Sequence, residues 1–447
     1  MDVKRPQSVL HVPYTFFPDE VGGTEVYVAG LVAAMRDRGF NGMVAAPGES
    51  DCEYDHEGIR VFRFKKAHES RFGYAYGEPD EVAARSFQAL LKRLRPDLVH
   101  IHAHTSAVSE RIVDAAHGAS ARAIFTYHTP TVSCLRGTMM HMGNAPCDGV
   151  LNVSRCTICT LQKHGVPPWL GNVLNRMPAS LGRGMSNSGF AGDVVTGLRM
   201  AELTGDVHAR FRSLIQKLDS VVAVCQWAMD ALTANGVPRS KLLLCRQGIA
   251  GRLPAGNMPI PASRRADNGP LRLAYFGRID PVKGLDIVIN ALKRTPDVPV
   301  TLNVHGIMQP GSERYAAQLK SEAGPQVHFH EALAPDAVSD AMADCDFVVV
   351  PSRCLETGPL VVYEAFGTGT PVLGAHFGGI AELVTNEVDG ILVTPNDSQA
   401  WAKTISALAA DRPRVGRLRS GVRPPRTLMN VADEMAALYS SLLTLHA

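Results

Sequence analysis

The segment PSRCLETGPLVVYEAFGTGTPVLG carries the clearest chemical pattern in this 447-residue sequence. A buried strand, FVVVPS, is predicted to end at Ser352, and a helix is predicted to begin near Pro359, because proline suits the first helical position. The backbone amides at this helix start, those of Gly358 and Leu360, have no partner inside the helix, and the helix dipole is positive there. The segment therefore predicts a binding site for an anion such as a diphosphate.

Two carboxylates flank the same helix start. Glu356 lies just before the predicted helix, and Glu364 lies inside it. While the amides hold a diphosphate, Glu364 could pair its two oxygens with a ribose diol. The alternative is that Glu356 only complements the helix dipole and that Glu364 only faces solvent. The pattern by itself leaves both interpretations open.

Two further segments fit the chemistry of a diphosphate. GRIDPVKG follows the predicted strand LRLAYF, so Arg278 and Lys283 are expected where that strand passes into a loop. Arginine grips a diphosphate with two hydrogen bonds and lysine acts as a point charge, although two surface bases are the alternative. Gly22 and Gly23 lie between the first strand and the first helix, where glycine lets the backbone approach a ligand or simply forms a tight turn. A GxGxxG motif is absent, which disfavours a nicotinamide site.

Four of the nine cysteines are concentrated in one segment with the spacing C-x12-C-x8-C-x2-C. They are Cys134, Cys147, Cys156 and Cys159. Four thiolates can close a tetrahedral zinc site, which would fold a segment poor in apolar residues, and the same ligands suit an iron–sulfur cluster. The alternatives are four unconnected thiols or a disulfide between Cys156 and Cys159. We expect a structural metal, with zinc as the candidate.

Short apolar runs alternate with helical patterns along most of the chain, which predicts parallel βαβ units and an α/β fold. The alternation occurs in two series, so two successive doubly wound, Rossmann-like domains facing a central cleft are expected. The first domain spans 1–250, with an irregular, cysteine-bearing insertion at about 129–202. A linker at 251–270 leads to the second domain at 271–425. A final helix at 426–447 is expected to pack back on the first domain.

Composition limits the classes of function. With 45 basic and 43 acidic residues the net charge is +2, which disfavours nucleic-acid binding. An odd, scattered set of cysteines favours a reducing compartment, and neither a signal peptide nor a transmembrane helix is predicted. A cytoplasmic protein is expected. One predicted helix has a basic face that a solvated surface explains, with peripheral contact to the inner face of the membrane as the alternative: Arg85, Lys92, Arg93 and Arg95.

Together these segments carry a family resemblance. The series GGTEVYVAGLVAAMRDRG, HIHAH, TYHTP, GRIDPVKG, ETGPLVVYEAFGTGTPV and GGIAELVTNEVDGILVTPND resembles the retaining GT-B glycosyltransferases of family 4, group 1 type, which include sucrose synthase and bacterial mannosyl- and glucosyltransferases. The resemblance spans most of the chain apart from the insertion and the linker. It rests on the whole ordered set, because any single segment is unspecific.

The resemblance implies a role for each matching residue. Glu364 would bind the nucleotide ribose, and Glu356 would face the donor sugar near the reacting carbon. Arg278 and Lys283 would bind the diphosphate and stabilise it as a leaving group. Gly23, the second of the two amino-terminal glycines, would close on the phosphates. His128, in TYHTP, would lie near the sugar and the acceptor, whereas without the family a hydrogen-bonded core histidine would be preferred.

The implied reaction is transfer of a hexosyl unit from a nucleoside-diphosphate sugar to an acceptor hydroxyl. Retention by front-face attack is implied, in which the leaving phosphate helps to deprotonate the acceptor, and no metal ion or other cofactor is expected at the donor site. The acceptor would be a saccharide, a lipid-linked molecule or a small molecule. The alternatives are a nucleotide-sugar 2-epimerase and a catalytically silent sugar-nucleotide-binding scaffold. The sequence does not indicate the sugar, the base or the oligomeric state.

Overall fold

The structure is a computed structural model that describes residues 7–19, 22–67, 76–187, 192–249 and 269–444. It divides into two compact units. Unit 1 comprises Met1–Arg246 and Leu428–Ala447, and unit 2 comprises Gln247–Thr427. Residues 251–268 of the predicted linker lie outside the described residues. Among the described residues, no helix combines the length and the apolar composition needed to cross a lipid bilayer.

Unit 1 is built on an eight-stranded sheet with the strand order β10-β9-β6-β5-β1-β2-β4-β3, in which the neighbours are parallel except for the β3–β4 hairpin. Its elements up to residue 244 are β1 (Gln7–Val12), α1 (Gly23–Arg36), β2 (Phe40–Gly48), β3 (Cys52–His56), β4 (Ile59–Lys65), α2 (Glu81–Leu94), β5 (Leu98–Ile101), α3 (Glu110–Gly118), β6 (Arg122–Tyr127), β7 (Met140–His141), β8 (Ala145–Pro146), α4 (Val153–Lys163), α5 (Pro168–Arg176), α6 (Ala179–Asn187), α7 (Asp193–Lys217), β9 (Ser220–Ala223), α8 (Gln226–Ala234) and β10 (Leu242–Leu244).

The predicted insertion at about 129–202 is not irregular, contrary to the sequence-based expectation. It begins with a 3-10 turn, Pro130–Val132, which is followed by a short two-stranded ribbon, β7–β8, and by the helices α4, α5, α6 and the first part of α7. The α4 helix starts with Asn152 as its N-cap, whose side chain accepts a hydrogen bond from the Arg155 amide. Small and polar residues hid this helical periodicity, because the helices pack mainly on one another and on α7.

Unit 2 is built on a six-stranded, fully parallel sheet with the strand order β13-β12-β11-β14-β15-β16. Its elements are β11 (Leu271–Arg278), α9 (Leu285–Lys293), β12 (Val300–Ile307), α10 (Glu313–Glu322), β13 (Val327–His330), α11 (Pro335–Asp344), β14 (Phe347–Val350), α12 (Leu360–Gly367), β15 (Val372–Ala375), α13 (Gly378–Leu383), β16 (Gly390–Val393), α14 (Ser398–Ala410) and α15 (Arg412–Gly421).

The last helix, α16 (Leu428–Thr444), belongs to unit 1, although it follows unit 2 in the chain. Its apolar face, including Val431, Met435 and Tyr439, is buried in a core shared with α1 and β2. On α1, Val28 and Leu31 contribute to the same core, as expected from their helical spacing.

Strand order reverses once in each sheet, between β1 and β5 in unit 1 and between β11 and β14 in unit 2. In open parallel sheets, ligands bind beyond the carboxyl ends of the strands at such a point. The connections that follow the two neighbouring strands run to opposite faces of the sheet there, and a crevice opens between them. The residues that follow these four strands are therefore the first place to look for function.

Candidate functional site

The switch point of unit 2 brings the predicted donor-site residues together. Arg278 ends β11, and Lys283 follows in a short 3-10 turn, Pro281–Lys283. Ser352 and Glu356 lie in the loop that follows β14, the neighbouring strand. Residues about 70 positions apart in the chain thus meet at one edge of the sheet. Their predicted positions, where strands pass into loops, lead to the same arrangement.

Lys283 and Glu356 form a partly buried ion pair. Lys283 Nζ lies 2.7 Å from Glu356 Oε1, and the Ser352 hydroxyl donates to the same oxygen at 2.7 Å. Desolvation by itself would raise the pKa of Glu356, but the Lys283 ammonium and the hydrogen bonds from Lys283 and Ser352 outweigh it and lower that pKa. Desolvation by itself would lower the pKa of Lys283, but the Glu356 carboxylate outweighs this effect and raises that pKa. Both groups are charged near neutral pH.

The two loops that carry this pair are fastened to each other. The Arg353 guanidinium donates to both oxygens of Asp286, each at 2.6 Å, and the Arg353 amide donates to the Val282 carbonyl at 2.7 Å. Gly284 has a φ of +71°, and a Cβ there would collide with the Pro351 carbonyl oxygen. Because the turn after β11 has no side chain at this point, Lys283 is held against the loop after β14.

Arg278 is exposed at the end of its strand. Its guanidinium donates to the Gln309 side-chain oxygen at 2.9 Å, and its carbonyl accepts from the Tyr275 hydroxyl at 2.5 Å. The backbone is therefore fixed while the guanidinium reaches solvent, as a group that binds an incoming anion requires.

The predicted helix after β14 begins at Leu360, with Pro359 as its N-cap. Gly358 precedes it with a φ of +144°, a conformation that a side chain would strain. The Gly379 amide donates to the Glu356 carbonyl at 2.6 Å, so the loop before α12 is held from the side of α13 as well. Glu364 lies in the second turn of α12 and reaches solvent, and desolvation by the surrounding protein raises its carboxyl pKa.

The switch point of unit 1 places His128, which follows β6, in a buried cluster of imidazoles. His102 follows β5, and its Nδ1 lies 3.0 Å from Nε2 of His128. On β1, His11 lies with its Nδ1 3.1 Å from Nε2 of His102. Next to them, His100 bonds to the Tyr439 hydroxyl at 2.6 Å and to the Thr126 hydroxyl at 2.7 Å.

Three of these rings form the single group within the described residues whose potential metal-ligating atoms all lie within 4.8 Å of one another: His11, His100 and His102. Both nitrogens of His100 and both of His102 already take part in hydrogen bonds. The cluster is therefore a hydrogen-bonded network in which a metal ion would have to displace existing partners.

The two predicted amino-terminal glycines lie at the start of α1. Gly22 is the N-cap and Gly23 is the first helical residue. The Gly22 amide donates to a carboxylate oxygen of Glu25 at 2.9 Å. A carboxylate of the same helix therefore already occupies the anion position at this helix start. Binding of a phosphate at this amide would require the Glu25 carboxylate to move.

An open cavity of about 630 Å³ lies in unit 1 beyond the carboxyl ends of β1, β2, β4 and β5. Its lining includes Arg63, Lys66, His104 and Arg210, together with hydroxyl groups. Arg63 pairs with Asp19 at 3.0 Å and Lys66 with Glu49 at 3.9 Å. A concave surface of this size, with charged and hydroxyl-bearing residues in its lining, suits a hydroxyl-rich small molecule.

The four cysteines of the insertion line one small, separate cavity in unit 1. The Cys159 sulfur accepts the Met142 amide at 3.3 Å, and desolvation raises the pKa of Cys147 and of Cys156. Cys156 and Cys159 are free thiols. In the part of the chain that the structure describes, no three of these sulfurs lie together within 4.8 Å of one another, so the cysteines converge without forming a closed metal cluster.

The residues of these sites that were not singled out from the sequence include Ser352, His11 and His102. Ser352 was noted only as the end of a strand, and its distance of four residues from Glu356 was the available signal. His102 belongs to HIHAH, which was noted only as one segment of the family resemblance. His11 gave no signal, since its role depends on β1 lying beside β5, where His11 pairs in register with His100.

Comparison with known families agrees with this arrangement. A family model described as “Glycosyl transferases group 1” matches residues 259–423, and one described as “Glycosyltransferase Family 4” matches residues 21–173. The first match covers the unit 2 switch point and the second covers most of the described sites of unit 1.

Curated relatives match part of the chain. A D-inositol 3-phosphate glycosyltransferase of Xylanimonas cellulosilytica is 34% identical over 159 residues, which is 35% of this chain and 38% of that protein. The protein of the same name from Mycolicibacterium smegmatis is 32% identical over 181 residues, 39% of this chain and 38% of that one. The chain thus matches well under half of the length of these relatives.

Solved structures match nearly the whole chain. The sucrose-phosphate synthase of Thermosynechococcus elongatus superposes with a TM-score of 0.66 at 19% identity and covers 98% of this chain and 100% of that one. The Anabaena protein HepE, in complex with UDP, superposes with a TM-score of 0.63 at 18% identity and covers 97% and 100%. The likeness shows the GT-B fold, with two Rossmann-like domains.

Proposed function

Because the chain belongs to the group 1 glycosyltransferases of family 4, we propose that it is a retaining glycosyltransferase that moves a hexosyl unit from a nucleoside-diphosphate sugar to an acceptor hydroxyl. The observation that carries this proposal is the Lys283–Glu356 ion pair at the switch point of unit 2. It holds a charged ammonium beside the start of α12, where a diphosphate would also meet backbone amides.

The donor would bind through unit 2. Lys283 and Arg278 bind the diphosphate, the amides of Gly358 and Leu360 add to the positive field, and Glu364 binds the ribose diol. The raised carboxyl pKa of Glu364 reflects a partly desolvated position, in which a hydrogen bond to a diol gains strength. UDP and UDP-glucose complexes of HepE support a nucleotide-sugar donor of this kind.

In the reaction, negative charge develops on the leaving diphosphate. The Lys283 ammonium is already oriented by Glu356, whose carboxylate accepts a hydrogen bond from Ser352, so little reorganisation is needed when that charge appears. The Glu356 carboxylate also offers acceptors to hydroxyls of the donor sugar. No metal ion is needed at this site in the proposal, because the two cations and the helix amides supply the positive charge.

The acceptor would bind through unit 1. The cavity lined by Arg63, Lys66 and His104 has the size and the hydrogen-bonding side chains for a saccharide or another hydroxyl-bearing molecule. Gly22 and Gly23 at the start of α1 would approach the phosphates, and His128 would approach the sugar. The relatives named after inositol 3-phosphate support a polyol acceptor, and a lipid-linked acceptor is the alternative.

The experiment is acceptor-dependent release of nucleotide from a panel of nucleoside-diphosphate sugars, with the anomeric configuration of the product read by NMR. Lys283→Ala should lower kcat by at least about 100-fold, since it removes a cation that stabilises the leaving group. Lys293→Ala is the matched control, because Lys293 pairs with Glu322 at 3.4 Å on an exposed surface. Equal activity of both variants, or an inverted product, would refute the proposal.

The same assay separates the alternatives. A 2-epimerase would change the stereochemistry of the donor itself and would not couple nucleotide release to an acceptor. A silent scaffold would bind a nucleotide sugar without releasing nucleotide. The paired Lys283 and Glu356 would serve diphosphate binding in all three cases, so it is the assay that separates them.

We further propose that the four-cysteine cavity of unit 1 binds one structural zinc ion. Cys134, Cys147, Cys156 and Cys159 reach the same cavity from separate parts of the insertion, and the Met142 amide already donates to the Cys159 sulfur. Backbone amides that donate to sulfur stabilise thiolates, which are the zinc ligands. Bound zinc would draw the sulfurs into a tetrahedron and fasten β7–β8 to α4.

A further inference from the structure

The helix α5 of the insertion is packed against α4 and α7 on one side. Gly171 lies against Ile158 of α4, and Leu174 lies against Gly197 of α7. The helix starts at Pro168, whose ring fixes the backbone at the first helical position. The helix is therefore held in place, and the side chains on its other side have a defined direction.

The other side of α5 exposes two apolar side chains to solvent. Trp169 is 68% exposed, and Val173, one helical turn later, is 50% exposed. Asn172 and Arg176 are also exposed and lie on the same side, because residues three, four and seven positions apart share a helix face. Trp401, by contrast, is fully buried. An open tryptophan beside a second apolar side chain is typical of a surface that binds a partner.

The segment around this helix carries only one sign of charge. Residues 149–187 contain no aspartate or glutamate, although the whole chain has 43 acidic residues. Two of the four basic residues of this segment form ion pairs with acidic residues outside it. Among the described residues, Lys163 and Arg176 have no ion-pair partner, and both are exposed. The exposed face of α5 is therefore apolar in its middle and positively charged at its two ends.

We propose that this face of unit 1 docks on the surface of a lipid bilayer that contains anionic lipids. Trp169 lies at the level of the headgroups, where the apolar ring and the polar N–H of tryptophan both find suitable surroundings. Lys163, the last residue of α4, and Arg176, the last residue of α5, contact lipid phosphates. A second copy of the chain fits this face less well, because a symmetric contact would bring like charges together.

Docking through α5 differs from the membrane contact through α2 that the sequence left open, because it uses the insertion. It holds unit 1, which carries the cavity proposed for the acceptor, at a membrane surface. Of the proposed acceptor classes, a lipid-linked molecule is reached most directly from there. The docking does not depend on sugar transfer, and it is tested without a donor.

The direct test is flotation of the full chain with lipid vesicles. The protein should float with phosphatidylcholine vesicles that contain about one third phosphatidylglycerol. It should float much less with pure phosphatidylcholine vesicles and at high salt, because salt screens the attraction between the basic residues and the lipid. Absence of flotation with the anionic vesicles would overturn the proposal. Binding to polyglutamate in place of the vesicles would overturn it in favour of an acidic protein partner.

Variants locate the contact on α5. Arg176→Glu should weaken vesicle binding at least about tenfold, because it replaces an attraction to the lipid by a repulsion. Trp169→Ala should weaken it at least about fivefold through the loss of apolar area. Lys92→Glu is the matched control, since Lys92 is an exposed lysine on the basic face of α2 and should not be needed. Weakening by Lys92→Glu without weakening by Arg176→Glu would place the contact on α2 and refute the proposal.

Tryptophan fluorescence gives an independent measurement of insertion. Of the three tryptophans, Trp401 is buried in unit 2 and Trp227 packs against the core of unit 1. Anionic vesicles should therefore shift the emission of Trp169 to shorter wavelengths, and lipids brominated near the headgroup should quench it. Trp169→Phe keeps an aromatic side chain and should still bind, but without the shift. A shift that persists in Trp169→Phe would contradict the role of α5.

Discussion

At the scale of single residues, the Lys283–Glu356 pair determines how the candidate donor site responds to pH. Despite the opposing desolvation, the carboxyl pKa of Glu356 is lowered, so the pair stabilises the folded protein above the ordinary pKa of glutamate. This stabilisation is lost as the pH falls through the lowered pKa. The raised pKa of Lys283 sets the alkaline limit, because the stabilisation is lost again as the pH rises through that value.

We expect Glu356→Gln to reduce the free energy of unfolding by about 1–3 kcal/mol at pH 7, because an ammonium loses its partner in a partly buried site. The difference from the wild type should shrink below the ordinary glutamate range, where the wild-type carboxylate is protonated too. Denaturant unfolding at several pH values measures this. Glu322→Gln, at the exposed pair with Lys293, should have little effect at any pH. A pH-independent difference would argue against the ion pair as its cause.

The residues of the two sites differ in how far the sequence could predict them. Arg278 ends a strand, and Lys283 and Glu356 follow strands, in the order that a doubly wound sheet requires, so local spacing was sufficient to predict that they meet at one edge. The buried cluster of imidazoles in unit 1 was not predictable in this way. It needs the register that pairs His11 with His100, and strand register is a long-range property of the sheet.

At the scale of elements, the helix–strand alternation was predictable because apolar residues recur with clear periods, as in α1 and α2. The α15 helix was missed because its sequence, RPRVGRLRSG, is dominated by arginine. Its buried face contains only Val415 and Leu418 as apolar side chains, with Arg419, which donates to the carbonyls of Cys345 and Ala343. The hydrogen bonds of Arg419 replace part of the apolar packing of this helix. A pattern of apolar residues in the sequence gives no sign of such hydrogen bonds.

The element-scale prediction concerns the ribbon β7–β8 and the helix α4, which the proposed zinc ion would join. Elemental analysis of protein purified without chelator should find about one zinc per chain, and Cys156→Ser and Cys159→Ser should each lose it and lower Tm. Cys52→Ser is the control, since Cys52 is exposed on β3. Folded, metal-free protein in which all four thiols react with an alkylating reagent would exclude the site.

At the scale of the whole molecule, α16 ties the last residues of the chain to unit 1. Tyr439 on this helix is fully buried, and its hydroxyl bonds to His100 on β5 at 2.6 Å. We expect Tyr439→Phe to destabilise unit 1 by about 1–3 kcal/mol, because a buried imidazole nitrogen loses its partner. Hydrogen exchange measures unit 1 separately from unit 2.

Asp433→Asn is the matched control on the same helix. Asp433 is exposed and pairs with Arg38 at 2.6 Å, so its replacement should cost less than about 1 kcal/mol. Equal destabilisation by the two substitutions, or a loss of protection in unit 2 alone, would contradict the structural role given to Tyr439.

The position of α16 also has a consequence for biosynthesis. Every residue of unit 2 leaves the ribosome before α16 does, whereas unit 1 lacks a part of its core until Leu428–Thr444 has emerged. During translation, unit 2 can therefore complete its folding first, and the strands of unit 1 that were made earliest must wait with the α16-facing surface of α1 uncovered. A chaperone that recognises exposed apolar surface would find it on the nascent amino-terminal half.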